Sequence, residues 1–125
     1  AKEFKDERLH ESITFALDSV LKAQYPNGAW PQGYADFPEP EKYPVIKASF
    51  PETWSRTMTS KYYHQFYTLN DNALMDVIDV MLLAEGVYSK EQPDLAAKCR
   101  RAAERAGDFL IRAQLREPQP AWAQQ

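Results

Sequence analysis

The chain has only one cysteine among its 125 residues. Cys99 alone excludes an internal disulfide and leaves the redox compartment open. It falls on an apolar helical face, where a free thiol behaves as a small buried hydrophobe. Long apolar runs are missing as well: nothing approaches the about 20 residues of a membrane-spanning helix. Positive charge is not in excess. A net charge of −3 argues against a nucleic-acid surface and against a polybasic membrane patch. The first eleven residues, AKEFKDERLHE, have no apolar core and do not read as a signal peptide. They also lack an initiator Met, so the sequence is expected to begin inside a longer or processed chain.

What remains is an ordinary globular composition, 44% hydrophobic and 26% charged, of a length suited to one domain. The aromatics are unevenly spread. Eleven of the 16, together with six of the nine prolines, lie between Tyr25 and Tyr67. Irregular segments of that length in compact domains are usually functional.

Three helices are expected, at about 4–24, 71–88 and 94–115, with a long loop at about 25–70. In the first, Leu9, Ile13, Ala16, Leu17, Val20 and Leu21 recur at helical spacing. Pro26-Asn27-Gly28 ends it, because proline cannot continue a helix and Asn-Gly suits a tight turn. In the second, Leu74, Val77, Ile78, Met81 and Leu82 form a stripe that Met75, Val80, Leu83 and Ala84 widen. An all-round apolar helix is expected to be buried on most sides. The third turns Leu95, Cys99, Ala102, Ala106, Phe109, Leu110 and Ala113 inward. Its Arg100, Arg101, Arg105 and Arg112 read as a solvated face laced with Glu104 and Asp108.

Two stretches match. Leu21-Lys22-Ala23-Gln24 pairs with Ile111-Arg112-Ala113-Gln114 at an offset of 90, and Ala29-Trp30-Pro31-Gln32 pairs with Ala121-Trp122-Ala123-Gln124 at 92. The first and third helices are therefore equivalent, and the second is the alternate element. Repeated helical hairpins stack, since one pair cannot bury its apolar face alone. The fold class expected is all-α, with the second helix in an inner layer. Three helices are too few to close a ring.

The second helix opens on Asn70-Asp71-Asn72. An amide or carboxylate just before an apolar periodic run is a helix start, and the first-turn dipole favours a charged oxygen there. Asp71 is thus either a cap or a ligand facing a cavity. Trp30 and Trp122 read as packing anchors or as platforms for a sugar ring. Lys42, Lys47, Arg56, Lys61 and His64 sit among the rings of the 34–63 segment. Cations beside flat faces suit a polyanionic sugar, or else they are solvated around a local core. His64 alone supports nothing.

AQYPNGAWPQ (23–32), FYTLNDNALMDVIDVM (66–81) and RAQLREPQPAWAQQ (112–125) resemble, in the same order, the family-ten polysaccharide lyases. These are pectate lyases with an α/α-toroid catalytic domain. The resemblance implies that residues 1–125 form the N-terminal part of such a domain, an incomplete barrel of helical hairpins carrying one long aromatic-rich loop. It implies calcium-assisted β-elimination of polygalacturonate (pectin), with calcium as Lewis acid on the uronate carboxylate. Asp71 matches the family's calcium-binding aspartate, and calcium takes oxygen ligands. Asn72 matches an amide that contacts substrate, while Asn70 fits the cap. Arg56 and Trp30 join Asn72 as substrate-binding candidates. No catalytic residue is expected in this stretch, because the family's arginine base and a second acidic ligand lie downstream of Ala-Trp-Ala-Gln-Gln. The partners implied are pectin and the rest of the chain's own catalytic domain, in a secreted or periplasmic setting. The alternative is a non-catalytic carbohydrate-binding or structural domain on the same scaffold.

Overall fold

The computed structural model describes residues 6–33, 69, 71–115 and 120–122. They form three helices and, among the described residues, no strand: α1 (Glu7–Lys22), α2 (Ala73–Tyr88) and α3 (Pro93–Ala113). The three expected helices are present: α1 is shorter at both ends, α2 starts two residues later and ends as expected, and α3 starts one residue earlier and ends two residues sooner. Asp6 explains one end of α1, since its carboxylate accepts from the Arg8 and Leu9 N–H groups at 3.0 and 3.4 Å. Pro93 at the first position explains the start of α3, where a missing N–H costs nothing.

The core is an α2–α3 interface to which α1 is tied by a loop. Leu74, Ile78, Met81, Ala84 and Tyr88 are the buried stripe of α2. They meet a stripe of small residues on α3, Ala96, Cys99, Ala102, Ala103 and Ala106, closed by Phe109. Small side chains let the backbones come close, so the large residues of one helix fill the gaps of the other. Met81 and Cys99 are the largest fully buried side chains.

Two expectations about helix faces need correction. Leu82 lies outside the buried stripe, and with Met75, Val80 and Leu83 it is exposed. α2 is apolar all round yet covered on one side, because α3 is its main helical neighbour among the described residues. On α1, Leu9 and Ala16 are exposed, and Leu17 is the single buried residue of the helix. Arg105 is exposed, as expected, but it is also tied to the first loop. Its guanidinium donates to the carbonyls of Tyr25 and Pro26 at 2.9 and 3.4 Å. Arg100 does behave as expected, pairing with Glu85 and Glu104 at 2.9 Å each.

The 23–33 loop is folded into the core rather than laid over it. The Tyr25 N–H donates to the Ala29 carbonyl at 2.8 Å, and the Gly28 N–H donates to the Tyr25 carbonyl at 2.9 Å. Buried polar side chains supply the remaining partners, as buried backbone groups require. The Gln24 amide donates to the carbonyls of Gly28 and of Ala102 on α3, both at 2.8 Å. The Asn27 side-chain oxygen accepts from the Ala29 N–H at 3.0 Å. The Trp30 indole N–H reaches back to the Val20 carbonyl at 2.8 Å.

The second half of the repeat makes two of the same bonds. The Trp122 indole N–H donates to the Leu110 carbonyl at 2.8 Å, and the Leu115 N–H donates to the Ala121 carbonyl at 2.8 Å. Leu110 stands 90 residues after Val20, and Trp122 stands 92 after Trp30. The sequence match is therefore a match of hydrogen-bonded structure.

Burial pushes the Cys99 thiol up from its ordinary 9.0, with Glu85 adding to the effect. Burial likewise raises Tyr88 from 10.0, helped by Glu91 and Cys99. Above about pH 9 the unfolded thiol ionises while the native one stays protonated, so the unfolded chain binds fewer protons and stability falls as pH rises. The expected result is a urea midpoint that declines from about pH 9 upward and a native thiol that resists Ellman's reagent. Fast thiol labelling of the folded chain would contradict this placement.

Candidate functional site

The junction before α2 is built from an unusual backbone. Asp71 and Asn72 both have positive φ, +54° and +56°. Aspartate and asparagine are the non-glycine residues that reach this left-handed region most readily, at about 1–2 kcal/mol each. Asn72 occupies the N-cap of α2, and its carbonyl accepts the first intrahelical bond from the Asp76 N–H at 2.8 Å, but its side chain makes no capping bond. An ordinary N-cap is extended and bonds the next turn with its side chain. The cap expected at this junction is thus not a conventional one. Asn70, proposed as the orienting cap, lies outside the described residues.

This backbone leaves both side chains exposed at the positive end of the α2 dipole. The Gln32 amide, from the Trp-Pro-Gln end of the first loop, lies 3.5 Å from an Asp71 carboxylate oxygen, the outer limit of a hydrogen bond. Thus 39 residues of sequence separation close into one polar corner. Gln32 stood out in the sequence only as a member of the repeat. Its proximity to Asp71 follows from the loop's docking on α3, which the sequence does not display.

The other candidates fare differently. Trp30 is 2% exposed, so its ring is a packing anchor held by the Val20 carbonyl and offers no face to a sugar. That corrects its placement among substrate-binding residues. Trp122 keeps 48% of its surface open. Arg56, with Lys42, Lys47, Lys61 and His64, lies outside the described residues.

The oxygens available at the corner are the Asp71 carboxylate and the Asn72 side-chain amide oxygen, the hard-oxygen chemistry that suits calcium, while Gln32 turns its amide N–H toward Asp71. One carboxylate does not make a full cage. Among the described residues no three His, Cys, Asp or Glu side chains come together. Further ligands would come from the substrate or from residues outside the described set.

No curated protein and no solved structure gives a significant match. A family model does: pectic acid lyase, matched over residues 1–125. A helical repeat that delivers a carboxylate to the mouth of α2, in a chain matched from end to end by that model, belongs to the pectic acid lyase family.

Proposed function

We propose that the chain supplies part of the site of a calcium-assisted pectate lyase, with Asp71 as a calcium ligand and Asn72 as a substrate contact. The observation that carries the reading is the consecutive left-handed pair at Asp71 and Asn72. Stored backbone strain clusters where function over-determines conformation, and here it presents two oxygen-bearing side chains to solvent instead of capping the helix. Family membership supplies the substrate class, an acidic pectic polymer.

The reaction breaks the bond between C4 and its glycosidic oxygen after a base takes the C5 proton, leaving a 4,5-unsaturated uronate. When bound, calcium neutralises the uronate carboxylate and makes the C5 proton easier to remove. Asp71 would hold the ion and Asn72 would orient the sugar, while Gln32 would fix the Asp71 rotamer. The base is not assigned to any arginine of this chain. Arg100 is committed to two glutamates and Arg105 to two carbonyls. The wider arrangement we infer is the inner end of an α/α toroid, acting outside the cytoplasm where polygalacturonate occurs.

Calorimetric titration with calcium in the presence of oligogalacturonate tests the assignment. The chain is expected to bind, and Asp71→Ala to bind at least about tenfold more weakly, since a carboxylate touching the ion is worth more than a neutral hydrogen bond of about 1 kcal/mol. Equal binding by the variant would remove Asp71 from the site. The chain alone is expected to release no unsaturated product absorbing in the ultraviolet. Binding that persists without turnover in any completed form of the site would favour a carbohydrate-binding domain.

A further inference from the structure

The turn that docks the first loop contains a chemically labile bond. Asparagine is among the thermolabile residues, and in Asn27-Gly28 the following residue has no side chain to shield its backbone nitrogen from the asparagine carboxamide. The chain's other two asparagines, Asn70 and Asn72, precede Asp71 and Ala73, which both carry a Cβ that crowds the same approach. In the reaction the Gly28 nitrogen gives its proton to hydroxide and bonds to Asn27 Cγ. The Cγ–Nδ2 bond breaks and ammonia leaves. Water then opens the succinimide at one carbonyl or the other, giving aspartate or isoaspartate with no change of oxidation state.

In the folded chain the reacting atoms are engaged. The Gly28 N–H donates to the Tyr25 carbonyl at 2.9 Å, closing a turn that has Pro26 at its second position. To become a nucleophile, that nitrogen must give up both the proton and the bond. Asn27 is 7% exposed, so little of it meets hydroxide or water. Its Oδ1 accepts from the Ala29 N–H at 3.0 Å, a contact that by itself polarises Cγ and favours attack. With the nucleophile masked and the base kept out, that polarisation has nothing to act on. The cover comes from α3, through the Ala102 carbonyl on the Gln24 amide and the Arg105 guanidinium on the Tyr25 and Pro26 carbonyls.

We propose that Asn27 is a deamidation site controlled by docking of the first loop on α3: silent while the loop is docked, reactive when it opens, and unable to re-dock as isoaspartate. The isoaspartyl linkage runs the main chain through Cβ and Cγ, which lengthens the turn. The Gly28 bond to the Tyr25 carbonyl and the Tyr25 bond to the Ala29 carbonyl then cannot both form. Gly28 has no room to shift in compensation, since even a Cβ would lie 2.1 Å from the Arg105 carbonyl oxygen. Aspartate keeps the main chain and an oxygen for the Ala29 N–H, so it permits the turn. A transient opening thus becomes a permanent loss of docking. The inference rests on the turn alone and stands whether or not Asp71 binds calcium.

The test incubates the intact chain at mildly alkaline pH, folded and in urea, and digests it with trypsin. Cleavage after Lys22 and Lys42 isolates residues 23–42, in which Asn27 is the only asparagine. Mass spectrometry reads the conversion, and an isoaspartyl methyltransferase reads the isoaspartate share. Conversion is expected to be at least about a hundredfold slower in the folded chain, because a docked turn is open in a small fraction of molecules. Arg105→Ala is expected to raise the folded rate about three- to tenfold, the range of one lost hydrogen bond, and to leave the rate in urea unchanged. Chains converted in urea, separated and refolded, give the second readout: the isoaspartyl form is expected to unfold at a lower urea concentration than Asn27→Asp. Equal rates in the folded and unfolded chain overturn the proposal. So does a folded Arg105→Ala that converts no faster than the wild type, or an isoaspartyl chain as stable as Asn27→Asp.

Discussion

Replacing Gly28 with alanine is expected to cost about 2–5 kcal/mol, the sum of two independent terms. The residue has φ +100°, a region in which a side chain costs about 1–2 kcal/mol. A Cβ there would also sit 2.1 Å from the Arg105 carbonyl oxygen and 2.7 Å from its carbon. Those are backbone atoms of α3, so the helix or the loop must move, and overpacking of this kind costs about 1–3 kcal/mol. The loss is a large share of the 5–15 kcal/mol that usually holds a domain. The controls lie in the same chain. Gly86 and Gly107 are inside α2 and α3, and a Cβ at either meets nothing within 4 Å. Alanine there is expected to stabilise by about 0.5–1 kcal/mol through helix propensity. Urea denaturation followed by circular dichroism reads all three. A Gly28→Ala midpoint level with the Gly86→Ala midpoint would show that the loop does not press against α3 as described.

That contrast shows what the sequence could and could not convey. Asn27-Gly28 was legible as a turn, because the dipeptide announces positive φ. The reason the turn tolerates no side chain was not, since the obstructing carbonyl belongs to Arg105, far along the chain. The three helices were legible from their period, and the repeat from two tetrapeptides. Which faces of α2 would be covered was not: Leu82 and Met81 are adjacent and both apolar, yet one is exposed and the other is fully buried. The decision rests with α3, whose alanine stripe selects the side of α2 it can approach. The partners of Arg105 were hidden for a related reason. They are backbone carbonyls, and a carbonyl leaves no mark in a sequence. At the site, the polarity of Asp71 and Asn72 was plain, but their left-handed backbone was not, because the same residues cap ordinary helices in an extended conformation. Gln32 joined them only once the loop had been placed.

Alanine at Trp30 and alanine at Trp122 are expected to differ sharply, although the sequence presents the two tryptophans as equivalents and both donate one indole hydrogen bond of 2.8 Å. Trp30→Ala opens a cavity between α1 and the core and removes the indole donor from the Val20 carbonyl, which keeps the weaker bond from the Ala23 N–H at 3.2 Å. Large-to-small changes at buried aromatic positions cost about 3–5 kcal/mol. Trp122 already shows about half of its surface to water, so truncation there forfeits roughly half of the transfer term and one partly exposed hydrogen bond, about 2 kcal/mol or less. Phenylalanine separates the two contributions at Trp30. It keeps most of the ring volume and loses the indole N–H, so Trp30→Phe is expected to fall between the wild type and Trp30→Ala. Equilibrium unfolding of the four chains gives the comparison directly. Equal losses at the two tryptophans would mean that Trp122 is as deeply packed as Trp30, against the 48% of its surface that is open. The difference between the two substitutions thus measures how far each unit of the repeat has been covered.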